Sequence, residues 1–421
     1  MRGGALTALA LCAATTLGCA NLGEEAHPET PAWVTRPSSV LSVFFRTTLT
    51  NPARVTGEDY ERGKPAIDPL GLRVFVGSAD HGLYAVDARS GEVLWRFETT
   101  GPVQGEPLFD AAEDAVYFGS GDGALYKLRA KDGKLLFRFH ANGECARRPV
   151  LDGDTLYFTT ATDMLVAIDK RSGELRWHQQ RTPAYGIEIG GHAGVAVGHG
   201  KVYTAFSDGS VMAYSTVDGA EAWPSVDLAL ESTTTEGQQP RYLDVDTTPV
   251  LTEVQGVPAV LVAQYDGGVF ALEAETGKML WRNELATGVT NLLVWSQREH
   301  RAKPLRDAVG NEIEGPMHPA RRMAIASSGR TGLWGIDLDT GKEAWRNPLP
   351  EGGISAPLPL AGAILVSTTR YGIYLFDPLR GHTIDGIHPG EPIAMSPAGV
   401  GLKAYVMTNG GHLMGLVVSP P

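Results

Sequence analysis

One unit recurs through this chain at an interval near 41 residues, and a period of that length restricts the fold to stacked or ring-forming repeats. Val74-Phe75-Val76-Gly77-Ser78 leads through Asp80-His81-Gly82 into Leu83-Tyr84-Ala85-Val86-Asp87, then Ser90-Gly91 and Val93-Leu94-Trp95. The next copy runs Val116-Tyr117-Phe118-Gly119-Ser120, Asp122-Gly123, Leu125-Tyr126-Lys127-Leu128, Asp132-Gly133 and Leu135-Leu136-Phe137. Each copy is three short apolar or alternating runs separated by glycine-bearing turns, the pattern of two successive hairpins. A fourth run precedes them, as at Pro107-Leu108-Phe109, so a copy holds the four strands of one propeller blade.

The turn before the third run falls at Gly82, Gly123, Met164, Gly209, Gly268, Gly332, Gly372 and Gly411. The intervals are 41, 41, 45, 59, 64, 40 and 39 residues, so two copies carry insertions, at about 225–243 and 296–318. The outermost run carries an aromatic plate at Trp95, Phe137, Trp177, Trp223, Trp281 and Trp345, expected to pack between neighbouring blades. The eighth copy ends at Val417-Val418 with three strands, whereas Ser42-Val43-Phe44-Phe45-Arg46-Thr47 is strand-like and has no copy of its own. An open ring would leave a bare strand edge. The expectation is an all-β, eight-bladed β-propeller of four-stranded antiparallel blades over residues 37–421, closed by an N-terminal strand completing the last blade.

Residues 1–18 read as an export leader, with Arg2 and a short apolar run from Ala5 to Leu17. That run is shorter than the roughly 20 apolar residues a spanning helix needs. Leu17-Gly18-Cys19 resembles the lipobox of bacterial lipoproteins, whose cysteine is acylated, although Thr16 stands where leucine is usual. An ordinary cleaved leader is the other reading. Ala20 resembles the pattern that permits sorting to the outer membrane, and residues 19–36 would then be a lipidated tether. Cys12 leaves with the leader, so Cys145 is a lone thiol, expected to be buried and inert. A net charge of −12, from 36 basic and 48 acidic residues, argues against nucleic acid as a partner.

The pattern D-G-x-L-Y-A-[LVI]-D-x-x-[ST]-G-x-x-[LM]-W, closely matched over 80–95 and 266–281, resembles the quinoprotein alcohol dehydrogenase-like (PQQ-like) propeller repeat. Asp244-Val245-Asp246-Thr247-Thr248-Pro249-Val250, the acylatable leader and the eight copies together resemble the BamB-like lipoprotein family. That family belongs to the machinery inserting β-barrels into bacterial outer membranes. The resemblance implies a non-catalytic scaffold without cofactor or metal, anchored through Cys19 to the outer membrane and facing the periplasm. It also implies that the chain binds the barrel-forming (BamA-like) subunit, with unfolded outer-membrane proteins as a further partner.

Propeller topology puts the connections between blades on one face, together with the turns between second and third strands. Residues 182–191 and 225–247 therefore emerge side by side. In the resembled family this region binds the barrel-forming subunit through an L-x-L-R-like element and paired aspartates. Ile187-Glu188-Ile189-Gly190 aligns with the element, making Ile187 and Ile189 apolar anchors, with Gly190 in place of its arginine. Asp244 and Asp246 match the aspartates and could accept charge-assisted bonds from a partner. They could equally bond amides of their own loop, and both readings are open. The insertion carrying Arg298, Arg301, Lys303 and Arg306 falls on the opposite face, as a solvated loop or a second contact.

The rival class is a quinone-dependent dehydrogenase. Enzymes with this repeat hold pyrroloquinoline quinone with a vicinal disulfide, a stacked tryptophan and calcium, and this sequence has no adjacent cysteines. Asp80, Asp122, Asp208 and Asp266 sit where turns need capping. No phosphate cradle, Cys/His metal spacing or G-x-S-x-G elbow is present. A propeller module for another envelope protein is a third reading.

Overall fold

The structure, a computed structural model, describes residues 40–56, 61–183, 192–228, 242, 245–301, 305–306, 312–315, 317–349, 352–370, 372–393 and 395–419. Among these residues the strands form eight four-stranded antiparallel sheets. The first blade consists of Pro65–Ile67, Arg73–Gly77, Gly82–Asp87 and Val93–Glu98. The rest follow over 108–140, 150–180, 196–227, 250–283, 289–347, 358–387 and 398–418. Leu41–Thr48 completes the last sheet, pairing antiparallel with His412–Val418 from Leu41 opposite Val418 to Thr48 opposite His412. The eight-bladed ring and its N-terminal closing strand are thus as the repeat implied. No helix among the described residues is long and apolar enough to cross a membrane.

Second and third strands are buried on both sides, which is why they read as nearly unbroken apolar runs. One core cluster joins Phe75, Leu83 and Ala85 of the first blade to Val116, Phe118 and Tyr126 of the second. The outer aromatic plates complete these interfaces by lying on a glycine of the next blade. Trp95 covers Gly133, Phe137 covers Gly173, Trp281 covers Gly341 and Trp345 covers Gly381. Gly381 has φ +69°, and a β-carbon there would stand 2.2 Å from Trp345 Cε3, so both backbone and packing demand glycine. Phe45 of the closing strand plays the same part on Gly91, a repeat position the sequence had not revealed.

Indole and phenol groups then donate across most interfaces to a carbonyl of the next blade. Trp95 Nε1 reaches Ala130 at 3.0 Å, Tyr203 Oη reaches Ala274 at 3.0 Å, and Trp345 Nε1 reaches Pro378 at 2.9 Å. Tyr405 Oη reaches Ala88 at 2.7 Å and so joins the eighth blade to the first. The seventh blade differs. Asp385 stands opposite Leu375, where the sixth blade has Trp345 opposite Gly335. Its buried carboxylate accepts the amides of Val40 at 2.6 Å and Leu41 at 2.8 Å, latching the closing strand.

The fourth blade is irregular at its edge: Trp223 lies between the isolated Tyr214–Glu221 pairing and a two-residue strand at Val226–Asp227. The described residues of the basic insertion include short paired strands, a ribbon that the expected loop did not contain, and Arg301 and Glu314 there remain solvent-exposed. Pairing of Val289–Gln297 with Arg321–Ser328 continues through His300 opposite His318 and Leu305 opposite Ile313. Part of its positive charge is answered within the ribbon, by Glu314 at 2.5 Å from Arg301.

Candidate functional site

Turn aspartates shape the face that carries the inter-blade linkers. Asp80 accepts the amide of Gly82 at 3.1 Å, Asp122 that of Ala124 at 3.1 Å, and Asp208 that of Ser210 at 3.0 Å. Asp266 instead receives Arg330 at 2.9 Å and the amide of Tyr242 at 3.2 Å, tying the linker before its blade to the turn. The linkers in question run over 181–195 and 228–249. Ile187, Ile189 and Asp244 lie outside the described residues, as does Cys19; of the expected partner contacts only Asp246 is placed.

Alternation explains the D-V-D-T segment locally. Val245 is buried in the core between the fourth and fifth blades. Thr247 Oγ1 donates to the Ala263 carbonyl at 3.0 Å and accepts the Ala263 amide at 2.8 Å. Asp246, between them, is half-buried and its backbone carbonyl accepts Arg147 Nη2 at 2.9 Å. Arg147 Nε donates in turn to the His192 carbonyl. One guanidinium from the preceding linker thus pins both linkers, a residue that sequence reasoning missed. Burial pulls its pKa below the usual arginine value, with the Asp246 and Glu106 carboxylates opposing that shift.

The same arginine borders a cavity of about 240 Å³ that is lined from all eight blades, so it lies on the propeller axis. Lys64, Glu106 and Arg148 reach it from the first three blades, and Thr248, Ala356 and Ser396 from the fifth, seventh and eighth. Each of these six precedes a proline, which holds the approach to the inner strand extended. That X-Pro signal recurs in the sequence and would have marked the axis. Charge is confined to one side. Arg148 Nη1 lies 3.6 Å from Glu106, while the Lys64 ammonium has no hydrogen-bond or ion-pair partner among the described residues. Desolvation, then repulsion from Arg147, lowers the Lys64 pKa to about 8, with Glu106 opposing.

His192 is buried beside these cations, and its Nε2 has no hydrogen-bond partner among the described residues. Burial first, then Arg147 and Lys64, lower its pKa to about 3. The unfolded chain takes up this proton below about 6.5 while the folded chain refuses it, so stability falls on acidification from about 6.5 toward 3. In denaturant titrations His192→Gln should show a shallower loss between those pH values than the wild type; equal slopes would contradict the assignment.

Cys145 is buried, and its thiol is pushed up to about 12 by that burial, as expected of an inert cysteine. The family described as outer membrane protein assembly factor BamB matches residues 70–113, 79–295 and 290–419, most of the propeller. The chain belongs to the BamB family. An outer membrane protein assembly factor BamB from Legionella pneumophila is 24% identical over 219 residues, 52% of this chain and 48% of the relative. The match thus spans about half of that relative's length. BamB from Moraxella catarrhalis shares the fold at a TM-score of 0.66 and 18% identity, over 90% of this chain and 100% of that one. The repeat also extends beyond BamB. The dehydrogenase subunit of a quinone alcohol dehydrogenase from Gluconacetobacter polyoxogenes is 31% identical over 140 residues, 32% of this chain and 18% of the enzyme.

Proposed function

We propose that this chain is a non-catalytic scaffold of the outer-membrane β-barrel assembly machinery. It is held on the periplasmic side of the outer membrane by acylation of Cys19. It binds the barrel-forming subunit through the linkers between its third, fourth and fifth blades, and assists insertion of barrel proteins. Family membership across residues 70–419 is the observation that carries this reading. Arg147 supports it by holding the linkers of the proposed face in fixed relation to each other. The contacts would be Ile187 and Ile189 as apolar anchors and Asp244 and Asp246 as acceptors for basic partner groups.

The test is capture of the barrel-forming subunit from detergent-solubilised envelopes. Asp244→Ala with Asp246→Ala should weaken capture about tenfold, the worth of one lost charge-assisted contact, while shifting unfolding by no more than about 1 kcal/mol, because Asp246 balances only part of the Arg147 charge. A large stability loss would instead mark the aspartates as structural. Cys19→Ser should move the protein from the membrane to the soluble periplasmic fraction; continued membrane retention would contradict the anchor.

The shared repeat favours a quinone-dependent dehydrogenase as the second reading. Against it stand the lack of adjacent cysteines in the sequence and the buried thiol of Cys145. Titration with pyrroloquinoline quinone and calcium separates the two. A bound chromophore with dye-linked alcohol oxidation would replace the scaffold by an enzyme.

A further inference from the structure

Beyond the linker contacts of Arg147, the axial cavity has a chemistry that neither the linker face nor the blade packing requires. A chain of net charge −12 brings Lys64, Arg147 and Arg148 together around about 240 Å³, with Glu106 as the one carboxylate in the lining. Asp246 lies near Arg147 and balances part of its charge. Glu106 stands 3.6 Å from Arg148, beyond the range of a close charge-assisted bond. Lys64 has neither a hydrogen-bond nor an ion-pair partner among the described residues. Across the cavity, Asn291, Thr248 and Ser396 add neutral donors. Stability alone gives no reason for such an arrangement, because like charges gathered around one cavity repel one another.

We propose that the axial cavity binds a small, multiply charged oxyanion, a phosphate or a short polycarboxylate, between Lys64, Arg147 and Arg148. The ammonium supplies an unused charge, the guanidinium of Arg148 supplies a planar fork, and the opposite wall supplies hydroxyl and amide donors. A second cavity of about 460 Å³ shares Glu106, Arg148 and Ser396 with the first and extends to exposed Pro69, providing a path from the face opposite the linkers. Its volume limits the ligand to a small molecule. The site shares Arg147 with the linker clamp, whereas Lys64 and Arg148 take no part in that clamp and test the site separately from the partner reading.

The experiment is calorimetric titration of the full chain with inorganic phosphate and, separately, with citrate, at ionic strength held constant with chloride. At least one anion should bind at pH 7, and its affinity should fall about tenfold in Lys64→Met and in Arg148→Met, each checked for native circular dichroism. Binding of citrate alone assigns a carboxylate ligand, and binding of phosphate alone a phosphate ligand; either supports the site. Lys64 has its pKa lowered to about 8, so wild-type affinity for citrate, already largely ionised at pH 7, should weaken from pH 7 to 9, whereas that of Lys64→Arg should change little. No binding of either anion above the chloride control would overturn the proposal. So would unchanged affinity in a folded Lys64→Met variant.

Discussion

Asp385→Ala should lower unfolding stability by about 3 kcal/mol and release the closing strand, although Asp385 touches neither the axis nor the linker face. Its carboxylate accepts two backbone amides, Val40 and Leu41, at the point where the chain's two ends meet. Bonds to a charged acceptor contribute about 1.5–3 kcal/mol each, and Leu41 is buried, where water cannot readily take the carboxylate's place. Release of the strand would also lift Phe45 off Gly91 and expose the edge of His412–Val418 to pairing with other chains. Asp385→Asn keeps one acceptor oxygen and should cost about half as much. Denaturant titration gives the stability, and hydrogen exchange at 41–48 gives the strand. Unchanged stability with those amides still protected would show that the strand holds without its latch.

Arg147→Met should lower stability by about 2 kcal/mol and weaken partner capture together. Two carbonyls, of His192 and Asp246, lose their donor, at about 1–3 kcal/mol for each acceptor left buried without one. Relief of the repulsion on Lys64 and of the arginine's own burial offsets part of that loss. Arg147→Lys should not restore the wild type, because a compact ammonium cannot bridge two carbonyls set for a planar fork. The contrast with Asp246→Ala is diagnostic, since that variant leaves both carbonyls bonded and should impair capture with a smaller loss of stability. Full stability in Arg147→Met would remove the clamp from the account.

Blade number and ring closure were legible because local geometry imposes them. A turn that lies beneath the preceding blade's plate needs glycine, as at Gly381 beneath Trp345, so the repeat survives in the sequence. Asp385 was not legible, since a carboxylate at a tryptophan position looks like a decayed repeat until the strand it latches is in place. The axial cations needed the ring itself: Lys64 and Arg148 belong to blades one and three, and only closure about an axis points both into one cavity. Arg147 escaped for a related reason, as it serves linkers it does not belong to. In the basic insertion, the charged run carrying Arg298, Arg301, Lys303 and Arg306 reads as a solvated loop, whereas pairing of the flanking strands continues outward past Gln297 and Arg321.

The scaffold reading turns on which face meets the barrel-forming subunit. A photoreactive residue placed at Ile189 in the linker face, and at Leu305 in the ribbon on the other side, compares the two directly in native envelopes. The account predicts a covalent adduct with the barrel-forming subunit from position 189 and none from position 305. An adduct from 305 alone, or from neither position with the protein present at normal abundance, would contradict it.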